Sequence, residues 1–388
     1  MPEVGLTSGG VKLTGWSNVS IRKSLDAIAD DFTFELTNGR AGTTREEVLT
    51  AADQLMLDDK AVIDIDGEVV LTGYVDDLMI SHDARRTTMR VSGRSKTGDI
   101  CDCSAEYNTG AWKAATLETV ARDLCRPFGV FVIDAENLSS KAFERYRVEP
   151  GETVIEAIAR GADRRQVLLV CNPKGNLEFI AAAEKPSGAV LELGVNVIEA
   201  TSSRSMRDRF SVYKFKGQTF AEDNWNGVKA SQLKGEAADP HVVRYRPFVI
   251  NHGKAKSSED LGMKAIWERN ARAGKSLQYR CTVEEWTTQK AGKKQWLINQ
   301  LVRVKDKWAN IDADLLVTSV EFVLAESERV TRLELCDRAA YIPDPKAKFP
   351  EIIEPEPTPA AAVGKLFGVG AIGTRENTAP GANTVRRR

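Results

Sequence analysis

A chain of 388 residues is too long for one ordinary core and predicts two to four domains. With 42% hydrophobic and 28% charged residues it reads as globular, and no apolar run is long enough for a membrane-spanning helix. The opening MPEVGLTSGGVKL lacks the basic and apolar regions of a secretory signal, so synthesis and folding in a cytoplasm are expected. The net charge of −1 hides an asymmetry: residues 1–100 hold 11 Lys and Arg against 17 Asp and Glu, whereas residues 201–310 hold 22 against 11. That excludes an overall basic nucleic-acid binder and suits head-to-tail or layered contacts between protein surfaces, a plain solvated surface being the alternative.

In residues 18–36 the apolar positions Ile21, Leu25, Ile28 and Ala29 have helical spacing, which switches at Asp31 to the strand-like alternation Phe32, Phe34, Leu36. Ala61–Ile65 alternates, Asp66-Gly67 supplies a tight turn, and Glu68–Leu71 returns as the partner strand. Gly73–Ile80 and Thr88–Val91 predict a second hairpin across the tip SHDARR. Residues 1–100 thus read as a first small β-barrel with one helix.

From 101 to 185 the pattern is that of a small α/β domain. Thr116 opens a helix with Leu117, Val120, Ala121 and Leu124 on one face, followed by the strand Val130–Ile133. Thr153 opens another with Val154, Ile155, Ile158, Ala159 and Ala162 inward, followed by Val167–Val170. The two units match at an offset of 38 residues, and Thr153 with Glu156 and Thr116 with Glu118 have N-capping chemistry.

Strand grammar resumes at Arg209–Lys216 and again at Tyr279–Trp286, Gln295–Val304, Leu315–Leu324 and Val330–Leu335. A second β-barrel is therefore expected over 186–216 and 279–341, interrupted by a polar insertion, 217–278, with one helix near Gly262–Ala273. This region echoes the first. Gly73–Arg94 sets Val75, Asp76, Leu78, Met89, Val91 and Arg94 against Val320, Glu321, Val323, Leu333, Leu335 and Arg338, and Asp31–Leu36 echoes Asp208–Phe215. The fold class is α+β and β-rich: two related small barrels, a small α/β domain and an inserted polar region. Residues 342–388 form an extended Pro/Gly-rich tail whose apolar patches, Phe349–Ile353 and Leu366–Ile372, suit docking onto a partner.

No chemistry-bearing constellation emerges, so no catalytic, cofactor-binding or metal-binding residue is assigned. Gly368-Val369-Gly370-Ala371-Ile372-Gly373 fits a dinucleotide-binding spacing but lies among Pro and Gly, 15 residues from the end of the sequence. His82, His241 and His252 are far apart, and Cys101-x-Cys103 has no second pair at zinc spacing. The six cysteines read as reduced buried thiols. The doublets Asp30-Asp31, Asp58-Asp59, Asp76-Asp77 and Glu284-Glu285 put neighbouring carboxylates on opposite strand faces, as edge charges rather than acid/base pairs. Arg244–Phe248, and Trp296 to Trp308 with Arg303, Lys305 and Lys307, have the composition of a single-strand binding surface, but their alternation suits a one-sided sheet wall better.

Residues 19–36 (VSIRKSLDAIADDFTFEL) and 62–103, with the hairpin DGEVVLTGYVD and the exit VSGRSKTGDICDC, resemble the opening of baseplate hub proteins of Mu-like contractile-tailed phages. Ser205–Gln218 and Val283–Leu335 are similar to that family's second barrel, and the resemblance spans roughly 1–340. It implies a non-enzymatic structural protein of the virion tail baseplate, assembled in the host bacterial cytoplasm. It implies a homotrimer whose six barrels form a pseudo-sixfold ring between a sixfold tail tube, or its initiator, and a threefold central spike. The ring would enclose a channel for the tape-measure protein and then DNA, with baseplate wedge proteins as further partners and no membrane anchor. Which residues form the interfaces stays open. An alternative is a peptidoglycan-binding or -degrading tail module, motivated by Val148-Glu149-Pro150-Gly151-Glu152-Thr153, which resembles the opening of LysM repeats and is compatible with both readings.

Overall fold

Period-two alternation becomes strand wherever both faces find cover. The computed structural model describes residues 3–39, 42–107, 110–218, 233–254, 257–288, 294–325 and 328–342. In the first region these are β1 (Val4–Ser8), β2 (Val11–Leu13), β3 (Asn18–Ser24), β4 (Asp31–Thr37), α1 (Arg45–Asp53), β5 (Lys60–Ile65), β6 (Glu68–His82) and β7 (Thr87–Ser95). The β5–β6 turn is the expected one: Asp66 and Gly67 both take left-handed backbone, at φ 52° and 82°.

The helix expected around Ile21–Ala29 is instead a strand, β3, ending in a turn. Val19, Ile21 and Lys23 alternate inward, and β3 is hydrogen-bonded on both sides, to β4 and to a strand 300 residues away. Leu25 and Ile28 mimic helical spacing, but they pack into two other clusters. The helix of this region is α1, entered through a capping box in which Thr44 and Glu47 satisfy each other's backbone amides.

The second region contains β13 (Pro186–Glu192), β14 (Val197–Arg204), β18 (Leu277–Val283), β19 (Leu301–Asp306), β20 (Ile311–Ala325) and β21 (Glu328–Cys336). Five of these repeat the first region strand for strand. β3-β4-β7-β6-β5 has the same neighbours in the same antiparallel sense as β14-β18-β21-β20-β19. Against its hairpin partner each long strand carries one bulge, at Asp76 in β6 and at Thr318 in β20. Aligning the bulges superposes Val75 on Val317, Leu78 on Val320 and Val91 on Leu333, and through the pairings Phe34 falls on Cys281. The internal repeat is therefore real, but its register differs from the one read in the sequence. Both long strands carry the extra residue at the same point, and an alternation of period two offers several near-equivalent matches, so the apolar pattern alone does not fix which residues correspond.

Two separate closed barrels do not form. The strands pair as one open sheet of thirteen, because the outer half of β20 hydrogen-bonds to β3. One apolar core runs through both regions, from Leu6, Phe34 and Met89 to Tyr279, Phe322 and Leu335.

Between the regions lie α2 (Thr97–Asp102), β8 (Ala111–Ala115), α3 (Leu117–Cys125), β9 (Val132–Ile133), β10 (Phe143–Arg147), α4 (Val154–Asp163), β11 (Leu168–Cys171) and β12 (Leu177–Ile180). The helices α3 and α4 do repeat, at an offset of 37 rather than 38. Their caps Thr116 and Thr153 correspond, and buried Leu117, Val120, Ala121, Leu124 and Cys125 fall on buried Val154, Ala157, Ile158, Gly161 and Ala162.

Interrupting the second region, β15 (Val212–Gln218), β16 (Leu233–Ala238) and β17 (Pro247–Lys254) form a separate sheet covered by α5 (Ser258–Lys275). Asp208–Phe215 thus belongs to this insertion, and the counterpart of β4 is β18. Arg209 and Asp239, at 3% and 0% side-chain exposure, fork together at its base with two contacts of 2.9 Å. The tail from 343 onward, with its apolar patches and the Gly368–Gly373 string, lies outside the described residues.

Candidate assembly interface

The groups that catalysis would need are scattered. His82 ends β6, His241 follows β16 and His252 lies on β17, and among the described residues no three His, Cys, Asp or Glu side chains cluster as a metal site. All six thiols are unpaired; burial pushes Cys125, Cys281 and Cys336 up to about 12, which leaves them poor nucleophiles. In the Val148–Thr153 loop the polar groups are engaged internally. Glu152 receives a fork from Arg160 at 2.8 and 2.9 Å, and Thr153 caps α4 in a reciprocal capping box with Glu156.

The aromatic-basic segments do not form an open stacking platform. Phe248 stacks on Phe210 at 4.6 Å, and the guanidinium groups of Arg272 and Arg246 cover these rings at 4.4 and 5.2 Å. Trp296 is buried, while Trp308 stands in the β19–β20 turn at 92% exposure.

What the fold does assemble, among the described residues, is a charged trough and open strand edges. The trough, about 360 Å³, lies across β3, β20, β21, β18 and β14. Its wall sets Arg22, Arg280 and Arg332 among Glu199, Glu321 and Glu334. Arg280 meets Glu334 at 3.1 Å and Arg332 meets Glu321 at 3.4 Å, while Ser20 and Thr282 donate to Glu321 and Glu199. A wall neutralised within itself presents no concentrated charge of either sign.

Among the described residues, open edges of the large sheet include that of β14, whose strand partner is β18 alone, and that of the outer half of β6, whose strand partner is β7 alone. On the latter, Met79 and Ile80 are 62% and 44% exposed, and Ile198 on β14 is 52% exposed. The sequence carried a signal for this: Leu78-Met79-Ile80 puts three apolar residues in a row on a strand, so both faces cannot be solvated without cost. By its alternation alone the segment reads as half of a hairpin.

Comparison with known proteins shows the family. The family model described as "Mu phage baseplate assembly protein GpP-like, N-terminal" matches residues 3–95. "Baseplate hub protein gp44-like, second domain" matches residues 97–181, and "Mu phage baseplate assembly protein GpP, fourth domain" matches residues 257–344. The chain is 34% identical over 349 residues to the baseplate hub protein gp44 of Escherichia phage Mu, covering 87% of this chain and 89% of that protein. Among solved structures it is similar to the 43 kDa tail protein of prophage MuSo2 from Shewanella oneidensis, with a TM-score of 0.79 at 33% identity, covering 88% of this chain and all of that one. It shares its fold with the tail protein from Neisseria meningitidis MC58, with a TM-score of 0.75 at 23% identity, covering 88% and 98% of the two chains. With such a relative matched along most of both chains, this protein belongs to the family of baseplate hub proteins of Mu-like phages.

Proposed function

We propose that three copies of this chain form the central ring of a contractile-tail baseplate, each chain contributing two equivalent five-stranded modules of its large sheet. The ring joins a sixfold tail tube above to a threefold spike below and encloses a channel for the tape-measure protein and, later, DNA. The observation that carries this reading is the strand-for-strand repeat of β3-β4-β7-β6-β5 as β14-β18-β21-β20-β19 within one chain. Three chains so built present six similar faces to a sixfold neighbour while keeping threefold symmetry for another. The large sheet is open in one chain; closing it takes a ring, which also removes its exposed edges. The role is one of shape and contact, with no catalytic residue assigned. Mass in solution by light scattering tests it: a species of three chains is expected, and a monomer persisting at high concentration would overturn the reading.

A further inference from the structure

Within one chain the two β regions are joined at a single antiparallel seam, where the outer half of β20 pairs with β3. Its register sets Val320 opposite Lys23, Phe322 opposite Ile21 and Leu324 opposite Val19. Ser319 Oγ donates to the Lys23 carbonyl at 3.2 Å, Ser20 Oγ donates to Glu321 Oε1 at 2.8 Å, and the Leu25 amide donates to the Thr318 carbonyl at 2.8 Å. One face of the seam excludes solvent: Phe322 is 1% exposed beside fully buried Ile21.

The repeat supplies each side of that seam a second time, and there both sides are bare. β6 stands where β20 stands: the inner half of each is covered by the preceding strand, β5 or β19, and the bulges at Asp76 and Thr318 mark the same point. Beyond the bulge the two part company. Residues 319–324 of β20 are buried or half-buried under β3, whereas 77–82 of β6 are almost wholly exposed. On the other side, β14 stands where β3 stands, with Ala200 at the place of Val19 and Ser202 at that of Ile21. Among the described residues its far edge has no strand on it.

From this we infer that the outer half of β6 from one chain pairs antiparallel with β14 of the next, in the register of the β20–β3 seam. Transferring that register sets Leu78 opposite Arg204, Ile80 opposite Ser202 and His82 opposite Ala200, and points the Met206 amide at the Asp76 carbonyl. The contact is head-to-tail, since the two edges differ, and repetition of one such contact closes a ring when its rotation divides the circle. Charge favours the pairing. Segment 76–83 carries Asp76, Asp77 and Asp83 and no Lys or Arg; the register brings its acidic start to the Arg204–Arg207 end of β14 and brings Glu199 toward Arg85 and Arg86 at the tip. Exposed Ile80 gains the cover that Phe322 has within the chain.

This proposal rests on the ring of three chains, and the test separates the two. In a background with the accessible thiols Cys101 and Cys103 changed to serine, Ile80→Cys and Ser202→Cys are combined in one chain. Directly opposed residues of an antiparallel pair lie within disulfide reach. Mild oxidation should carry most of the protein to covalent species of two and three chains, reversed by reductant. A control joining Ile80→Cys with Ser203→Cys, whose side chain faces the other side of the sheet, should stay largely at monomer mass. Light scattering is run on the same unoxidised samples. A three-chain mass with no more cross-linking than the control overturns the strand pairing and leaves the trimer standing. A monomeric mass overturns both.

Discussion

Lys23 and Asp30 meet at 2.9 Å beside the seam, with side chains 8% and 2% exposed. Loss of hydration dominates here: burial pushes the Asp30 carboxyl up to about 6, against the pull of Lys23 and with the push of neighbouring Asp31. The folded chain therefore keeps a proton on Asp30 that the unfolded chain gives up near pH 4. Between about pH 4 and pH 6 the folded state binds more protons, so this group's contribution to stability falls as pH rises and is flat above that window. Denaturant unfolding at a series of pH values should show a decline over that range that Asp30→Asn lacks. Parallel curves for the two proteins would contradict the assignment.

Among the elements, the β20–β3 seam depends most on single side chains. The Phe322 ring meets Trp286 edge-on at 5.8 Å, and Trp286 Nε1 donates to the Val323 and Val330 carbonyls, pinning the loop that follows β18 over the outer half of β20. Phe322→Ala should cost about 3–5 kcal/mol in equilibrium unfolding through the cavity it leaves. A loss below about 1 kcal/mol, the range of ordinary surface changes, would show that the seam contributes little. Much of this level was legible in the sequence: the Asp66-Gly67 turn, the helices opened by Thr116 and Thr153, and the fact of an internal echo. What failed did so for identifiable reasons. Ile21, Leu25 and Ile28 imitate a helix face, and nothing local reveals that β3 has a strand from the far end of the chain on one side. The bulges at Asp76 and Thr318 mark equivalent points of the repeat, but they show only in the strand pairing, and alternating apolar residues allow several matches. The cap at Thr44 with Glu47 was readable and went unread. As for the candidate interface, only the charge asymmetry and the apolar triplet at Leu78–Ile80 pointed to it, because an edge is defined by what fails to pair with it.

For the whole molecule, the proposed ring would fill the empty seam of the internal repeat with copies of the chain. The charge-balanced trough over β3, β20, β21, β18 and β14 belongs to the same sheet, so a ring built through that sheet would carry the trough around its wall. Direct imaging of the purified full-length protein by electron microscopy, averaged without imposed symmetry, tests this most directly. The account predicts rings with a central opening and six similar lobes that alternate in detail, so that threefold order is exact and sixfold order only approximate. Particles of one or two chains with no opening, or a ring in which the two β regions of each chain do not alternate around one axis, would contradict it.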